Sequence, residues 1–114
     1  MINQNDLRHI GQMLEAIERL ENCYTKFPLE QACNDCMIFD VILMEFENLG
    51  NNSLKLSKEL IESHPELHLS DLRAIRHRIA HDYLSVQIEI LYQTIKDDFP
   101  TMKESLNTLI QESK

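Results

Sequence analysis

The chain has 114 residues, 43% of them hydrophobic, a formal net charge of −8, and only two glycines and three prolines. That length suffices for one domain with its own core, that apolar share excludes a disordered tail, and so few breakers favour long helices over many short strands. The acidity excludes attraction of nucleic acid by the overall field, so any RNA contact needs a local basic patch; otherwise it reads as solubility or as a basic partner protein.

The N-terminus, Met1 to Asp6, is polar and lacks a signal-peptide apolar stretch. The first helix is expected to start at Asn5 or Asp6, both good N-caps. Leu7, Ile10, Leu14, Ile17 and Leu20 then recur at three and four residues, one apolar stripe of an amphipathic helix. Pro28 ends this element and suits the first turn of the next. The second helix is expected from about Leu29 to Leu49, with Gly50-Asn51-Asn52 as its C-cap signal. Its middle, Met37 to Phe46, is apolar nearly all round, more than one small bundle can cover, so a second subunit is a plausible cover. The run Met37 to Met44 is interrupted by Asp40 and is too short to span a bilayer. With no membrane segment expected, the expected compartment is the cytoplasm.

A short third helix is expected from Ser53 to about Ser63, stopped by Pro65, with a loop from His64 to Leu69. Ser70 is the expected N-cap of a fourth helix whose stripe is Leu72, Ile75, Ile79, Tyr83 and Val86. Ser85 offers a second cap, so this element ends or bends near Leu84. Ile88, Leu91, Ile95 and Phe99 continue an apolar pattern, Pro100 marks a kink or fresh start, and Met102, Leu106, Leu109 and Ile110 give a last amphipathic helix. The fold class is all-α: an antiparallel bundle of five or six helices in one domain, residues 1–114.

Cys23, Cys33 and Cys36 make no disulfide framework, and Cys33-Asn34-Asp35-Cys36 is half a zinc site without a second pair. They read as ordinary helix cysteines. No metal site and no cofactor are expected.

Of five arginines, Arg73, Arg76 and Arg78 fall together, with His77 and His81 among them and Tyr83 following. This is the one basic cluster of an acidic chain. Arginine grips phosphate oxygens through a planar fork, and histidine passes protons near neutral pH. Together they supply what metal-free cleavage of an RNA phosphodiester needs: a base for the ribose 2′-OH and a fixed cation for the crowded phosphorane. The bland alternative is a solvated helix face with an Arg78–Asp82 ion pair. His77 and His81 also stand four apart, a metal-ligand spacing, but no third ligand is evident.

The stretch Asp71 to Tyr83 resembles the R-x4-H-x-Y motif of the HepT-type toxins of the HEPN ribonuclease superfamily, with Arg76, His81 and Tyr83 on the motif positions. The resemblance extends to the early amphipathic helix, to Phe46-Glu47-Asn48-Leu49-Gly50 with Leu54-Lys55-Leu56-Ser57, and to the tail Ile88 to Ile110. It implies a homodimeric helical bundle with a cleft where two motifs meet. The implied activity is metal-independent RNA cleavage by Arg76 and His81, with Arg73, His77 and Arg78 in support. It also implies a cognate minimal nucleotidyltransferase antitoxin that adenylylates Tyr83. The alternative is a non-catalytic helical binding subunit of a two-protein nucleotidyltransferase system. Two positions depart from the family: His77 stands where Asn is common, and Gly50 is followed by Asn51 where Gly-Glu is often found.

At about 100° per residue, Arg76 and Tyr83 share a helix face while His81 lies about 140° round. Either the helix bends near Tyr83, or two subunits share the site.

Overall fold

A computed structural model describes residues 2–113, which form seven α-helices, two short 3-10 turns and, among the described residues, no strand. The helices are α1 (Gln4–Lys26), α2 (Leu29–Asn34), α3 (Cys36–Leu54), α4 (Lys58–Ser63), α5 (Leu69–His81), α6 (Ile88–Asp97) and α7 (Phe99–Glu112). The all-α expectation holds, and the additional helix arises because the expected second helix is two. Asp35 breaks it: its backbone is extended, and its carboxylate accepts from the Met37 and Ile38 amides as the N-cap of α3.

Three other boundaries differ from expectation. Asn3, not Asn5 or Asp6, caps α1, its side chain accepting from the Asp6 amide at 2.7 Å. Asp6 is instead buried, accepting from both the amide (2.8 Å) and the hydroxyl (2.7 Å) of Ser57. Ser57, rather than Ser53, is the N-cap of α4, and α3 runs through Gly50 to Leu54. The N-cap position of α5 is His68, held in the left-handed conformation at φ 53°, rather than Ser70.

The bundle is built on α3. Its C-terminal half meets the start of α1, where the His9 Nδ1–H donates to Asn52 Oδ1 at 2.8 Å, and its middle meets Arg19, whose Nε donates to Glu45 at 2.8 Å. That order of pairs makes α1 and α3 antiparallel. The same reading applies to α5, since Arg76 meets Asn51 while Tyr83 meets Asp40. The buried seam of α1 is Ile10, Met13, Ala16, Ile17 and Leu20; Leu7 and Leu14 lie at its half-buried edge. Helices α6 and α7 close the core from the other side, with Phe99 packed on Phe46 at 5.7 Å between ring centroids. Pro100 lies in the first turn of α7, so it marks a fresh start and not a kink.

One face of α3 stays uncovered. Met37, Val41 and Met44, one helical stripe, are 76%, 42% and 61% exposed, while Ile42, Leu43 and Phe46 on the other side are buried. None of the described helices is long and apolar enough to cross a membrane.

Candidate active site

Helix α5 divides the expected site residues between two faces. Leu72, Arg76 and Ile79 face α3, and Tyr83 follows them on the same side even though α5 has ended at His81. The chain turns at Asp82, whose backbone is non-helical, into the 3-10 turn Tyr83–Ser85. The break between His81 and Tyr83 is therefore real, but it does not swing the tyrosine towards the histidine.

The approach of α5 to α3 depends on Gly50. A Cβ on Gly50 would lie 2.5 Å from Arg76 Cβ, 2.9 Å from its Cγ and 3.2 Å from the Leu72 carbonyl oxygen. Carbon atoms ordinarily meet at about 3.5–4.0 Å, so only glycine fits. The residue expected to stop a helix instead lies inside one and admits the stem of Arg76. The next residue anchors the head: Arg76 Nε donates to Asn51 Oδ1 at 2.8 Å.

Farther along the same cleft the Tyr83 ring stands edge-on to Phe39, with centroids 5.8 Å apart, and its hydroxyl donates to the Asp40 carboxylate. Tyr83 is 39% exposed, so the hydroxyl stands at a solvent-facing rim. Ile79 shares this cleft with it, while Val86, the other expected stripe partner, lines a groove on the α6 side with Ala74, Ile75, Arg78 and Leu91. Asp40 and Glu47 make the α3 wall of the cleft acidic.

The second face of α5 carries His77 and His81, both exposed, with ring centroids 4.4 Å apart. Among the described residues no third His, Cys, Asp or Glu joins them in a cluster that could hold a metal ion. Arg78 does not form the Asp82 ion pair of the bland reading. Its Nε donates to Ser85 Oγ at 3.3 Å, and that hydroxyl donates to the Asp82 carbonyl oxygen at 2.8 Å. Arg73 Nε is buried with no hydrogen-bond partner among the described residues. No hydrogen bond or ion pair among the described residues joins Arg76, His81 and Tyr83 to one another.

Among the described residues most basic side chains form no ion pair, Arg8, Lys26, Lys55 and Lys96 included. The basic side chains Arg19, Lys58 and Lys103 all pair with carboxylates. Arg73, Arg76 and Arg78 form no ion pair among the described residues, although the chain carries 19 Asp and Glu against 11 Lys and Arg. Three guanidinium groups are thus left with free charge on one helix, beside two histidines. Asn51 and Asp40, which hold Arg76 and Tyr83, were not evident in the sequence: each lies on another helix, and no local motif marks it.

The chain is similar to known proteins over most of its length. A family model described as "Ribonuclease HepT-like" matches residues 13–109. A "Probable ribonuclease HepT" of Thermococcus cleftensis is 24% identical over 101 residues, covering 89% of this chain and 92% of the relative. A "Putative RNase TTE0752" of Caldanaerobacter subterraneus subsp. tengcongensis is 25% identical over 109 residues, 95% and 94% of the two chains. A "Putative RNase MJ1216" of Methanocaldococcus jannaschii is 22% identical over 100 residues, 88% and 83% of the two chains. No solved structure matches the chain.

Proposed function

We propose, since this chain belongs to the HepT-like ribonuclease family, that it is the toxin of a toxin–antitoxin pair and cuts RNA in the cytoplasm without metal, using Arg76 and His81. His81 takes the proton of a ribose 2′-OH, the 2′-oxygen attacks phosphorus, and the P–O5′ bond breaks with the 5′-oxygen taking a proton from water, so that one product ends in a 2′,3′-cyclic phosphate and the other in a 5′-hydroxyl. Arg76 stabilises the doubly charged phosphorane, and Arg73, Arg78 and His77 hold the flanking backbone. The observation that carries this reading is the clustering of three arginines, none of them ion-paired among the described residues, and two histidines on α5 in an otherwise acidic chain.

Because Arg76 and His81 lie on different faces of α5, the working unit is a homodimer. The apolar stripe Met37, Val41 and Met44 supports it: Met44 also lines the cleft beside Asn51 and Tyr83, so a second copy seated there would bring another α5 to that cleft.

Control falls on Tyr83. Its hydroxyl is at the solvent-facing rim, where a cognate minimal nucleotidyltransferase can present ATP. The phenol oxygen attacks the α-phosphorus, pyrophosphate leaves, and the phenol proton is lost. The new AMP phosphate then sits close to the free arginines and takes up the charge that RNA would need.

Induced expression tests this. Wild type is expected to arrest growth, and His81→Ala to permit it at the same protein level. Co-expression with the partner enzyme should add AMP to Tyr83, seen by mass spectrometry, while Tyr83→Phe stays toxic. A harmless wild type that still binds the partner would leave only the non-catalytic subunit reading.

A further inference from the structure

We infer that Asn51 is the positioning residue of the site: it locks the Arg76 guanidinium in plane and leaves that group's charge undivided for phosphate. The inference rests on the catalytic role proposed for Arg76 and names the group that makes it effective.

An arginine head has five N–H donors in a rigid fork, so fixing one edge fixes the direction of the rest. Here the Nε edge is taken by Asn51 Oδ1 at 2.8 Å. The terminal amines form no hydrogen bond with protein among the described residues and so remain for a ligand. The stem is held as well, because Arg76 Cβ and Cγ lie in the space that the missing Cβ of Gly50 leaves. Two successive residues of α3 therefore clamp one side chain, Gly50 at its root and Asn51 at its head. A free arginine has rotamer entropy to lose on binding phosphate, and this clamp removes part of that loss in advance.

The anchor is neutral. A carboxylate at this distance would share the charge of Arg76, whereas an amide oxygen orients the group and leaves it available. The nearby cleft carboxylates do not take that place: Asp40 accepts from Tyr83, and Glu47 forms no ion pair with Arg76. The departure from Gly-Glu to Gly50-Asn51 thus keeps an acceptor oxygen after the glycine. Asn51 is half-buried at the cleft wall and outside the hydrophobic core, so it can be changed without opening a core cavity.

The test is steady-state cleavage of an RNA oligonucleotide by the purified full chain. Asn51→Ala is expected to lower kcat about tenfold, the scale of one hydrogen bond to a charged group, and to move KM less than about threefold. Asn51→Asp keeps the acceptor oxygen but makes the anchor a carboxylate that shares the charge of Arg76, so its kcat should also fall below wild type, by about threefold or more. In an Arg76→Lys background there is no Nε to hold, so adding Asn51→Ala should lower kcat no further. A merely structural role would lower kcat in both backgrounds and shift the thermal midpoint, and that result overturns the inference. So does a wild-type kcat for Asn51→Ala where Arg76→Lys is slow. An Arg76→Lys protein as fast as wild type would instead overturn the catalytic role of Arg76, and the positioning role with it.

Discussion

Placing a methyl group on Gly50 offers the sharpest mechanical perturbation, because the chain holds its own control. Gly50 and Gly11 both lie inside helices, α3 and α1. A Cβ on Gly11 would meet nothing within 4 Å, whereas on Gly50 it would lie 2.5 Å from Arg76 Cβ. Alanine in a helix is favoured over glycine by about 1 kcal/mol, so Gly11→Ala should stabilise by about 0.5–1 kcal/mol. At Gly50 the same gain is opposed by overpacking of about 1–3 kcal/mol, because the obstructing atom is the root of a side chain and cannot rotate away. The net effect is a loss of up to about 2 kcal/mol, with α5 pushed off α3 by roughly 1 Å. For a domain of this size that lowers the thermal midpoint by roughly 4–8 °C per kcal/mol. Function should suffer more than stability, since a shift of about 1 Å is enough to break the Arg76–Asn51 bond and cost up to about a hundredfold in rate. Thermal melts and cleavage assays of the two variants, side by side, read both effects. If Gly50→Ala melts above wild type, as Gly11→Ala should, and cuts RNA at the wild-type rate, the close approach of α5 is not what the glycine serves.

Asp6→Ala removes a buried carboxylate that accepts twice from Ser57 and so supports the cap of α4; a loss of about 2–4 kcal/mol is expected by urea titration, against under 1 kcal/mol for an exposed acidic residue such as Glu18. Wild type should sediment at micromolar concentration near twice 13.4 kDa, and Met44→Glu, which puts a charge in the exposed stripe, should sediment as a monomer and lose cleavage; a monomeric wild type would remove the shared-cleft argument. Burial raises the pKa of the Tyr92 phenol, which donates to the Phe27 carbonyl oxygen at 2.7 Å, above its ordinary value near 10.0. The neutral form is thus favoured in the fold. Its contribution is fully present below pH 10 and is lost as pH rises through the folded value, so urea midpoints should fall above pH 10 in wild type and less in Tyr92→Phe.

The helical class and most of the core were legible because apolar periodicity is a local signal. The boundaries that misled were those where a local signature serves a distant partner. Gly50-Asn51-Asn52 has the composition of a helix stop, yet its glycine is small because of Arg76, and its two asparagines hold Arg76 and His9. Asp6 has the chemistry of an N-cap but spends it on Ser57, far along the chain. Asp35 was the reverse case, a working cap hidden in a run read as continuous helix. For the candidate site, spacing alone separated Arg76 and Tyr83 from His81, and the structure keeps that division. Asn51 and Asp40 were out of reach of sequence reading, since what marks them is contact across two helices.

The most direct test is cleavage of an end-labelled RNA by the purified protein in excess EDTA, comparing wild type with Arg76→Ala and His81→Ala and analysing the product ends. Wild type is expected to cut and leave 2′,3′-cyclic phosphate, and both variants, folded by circular dichroism, to leave the RNA intact. Cleavage that stops with EDTA, or that persists in either variant, would contradict a metal-independent site built on Arg76 and His81.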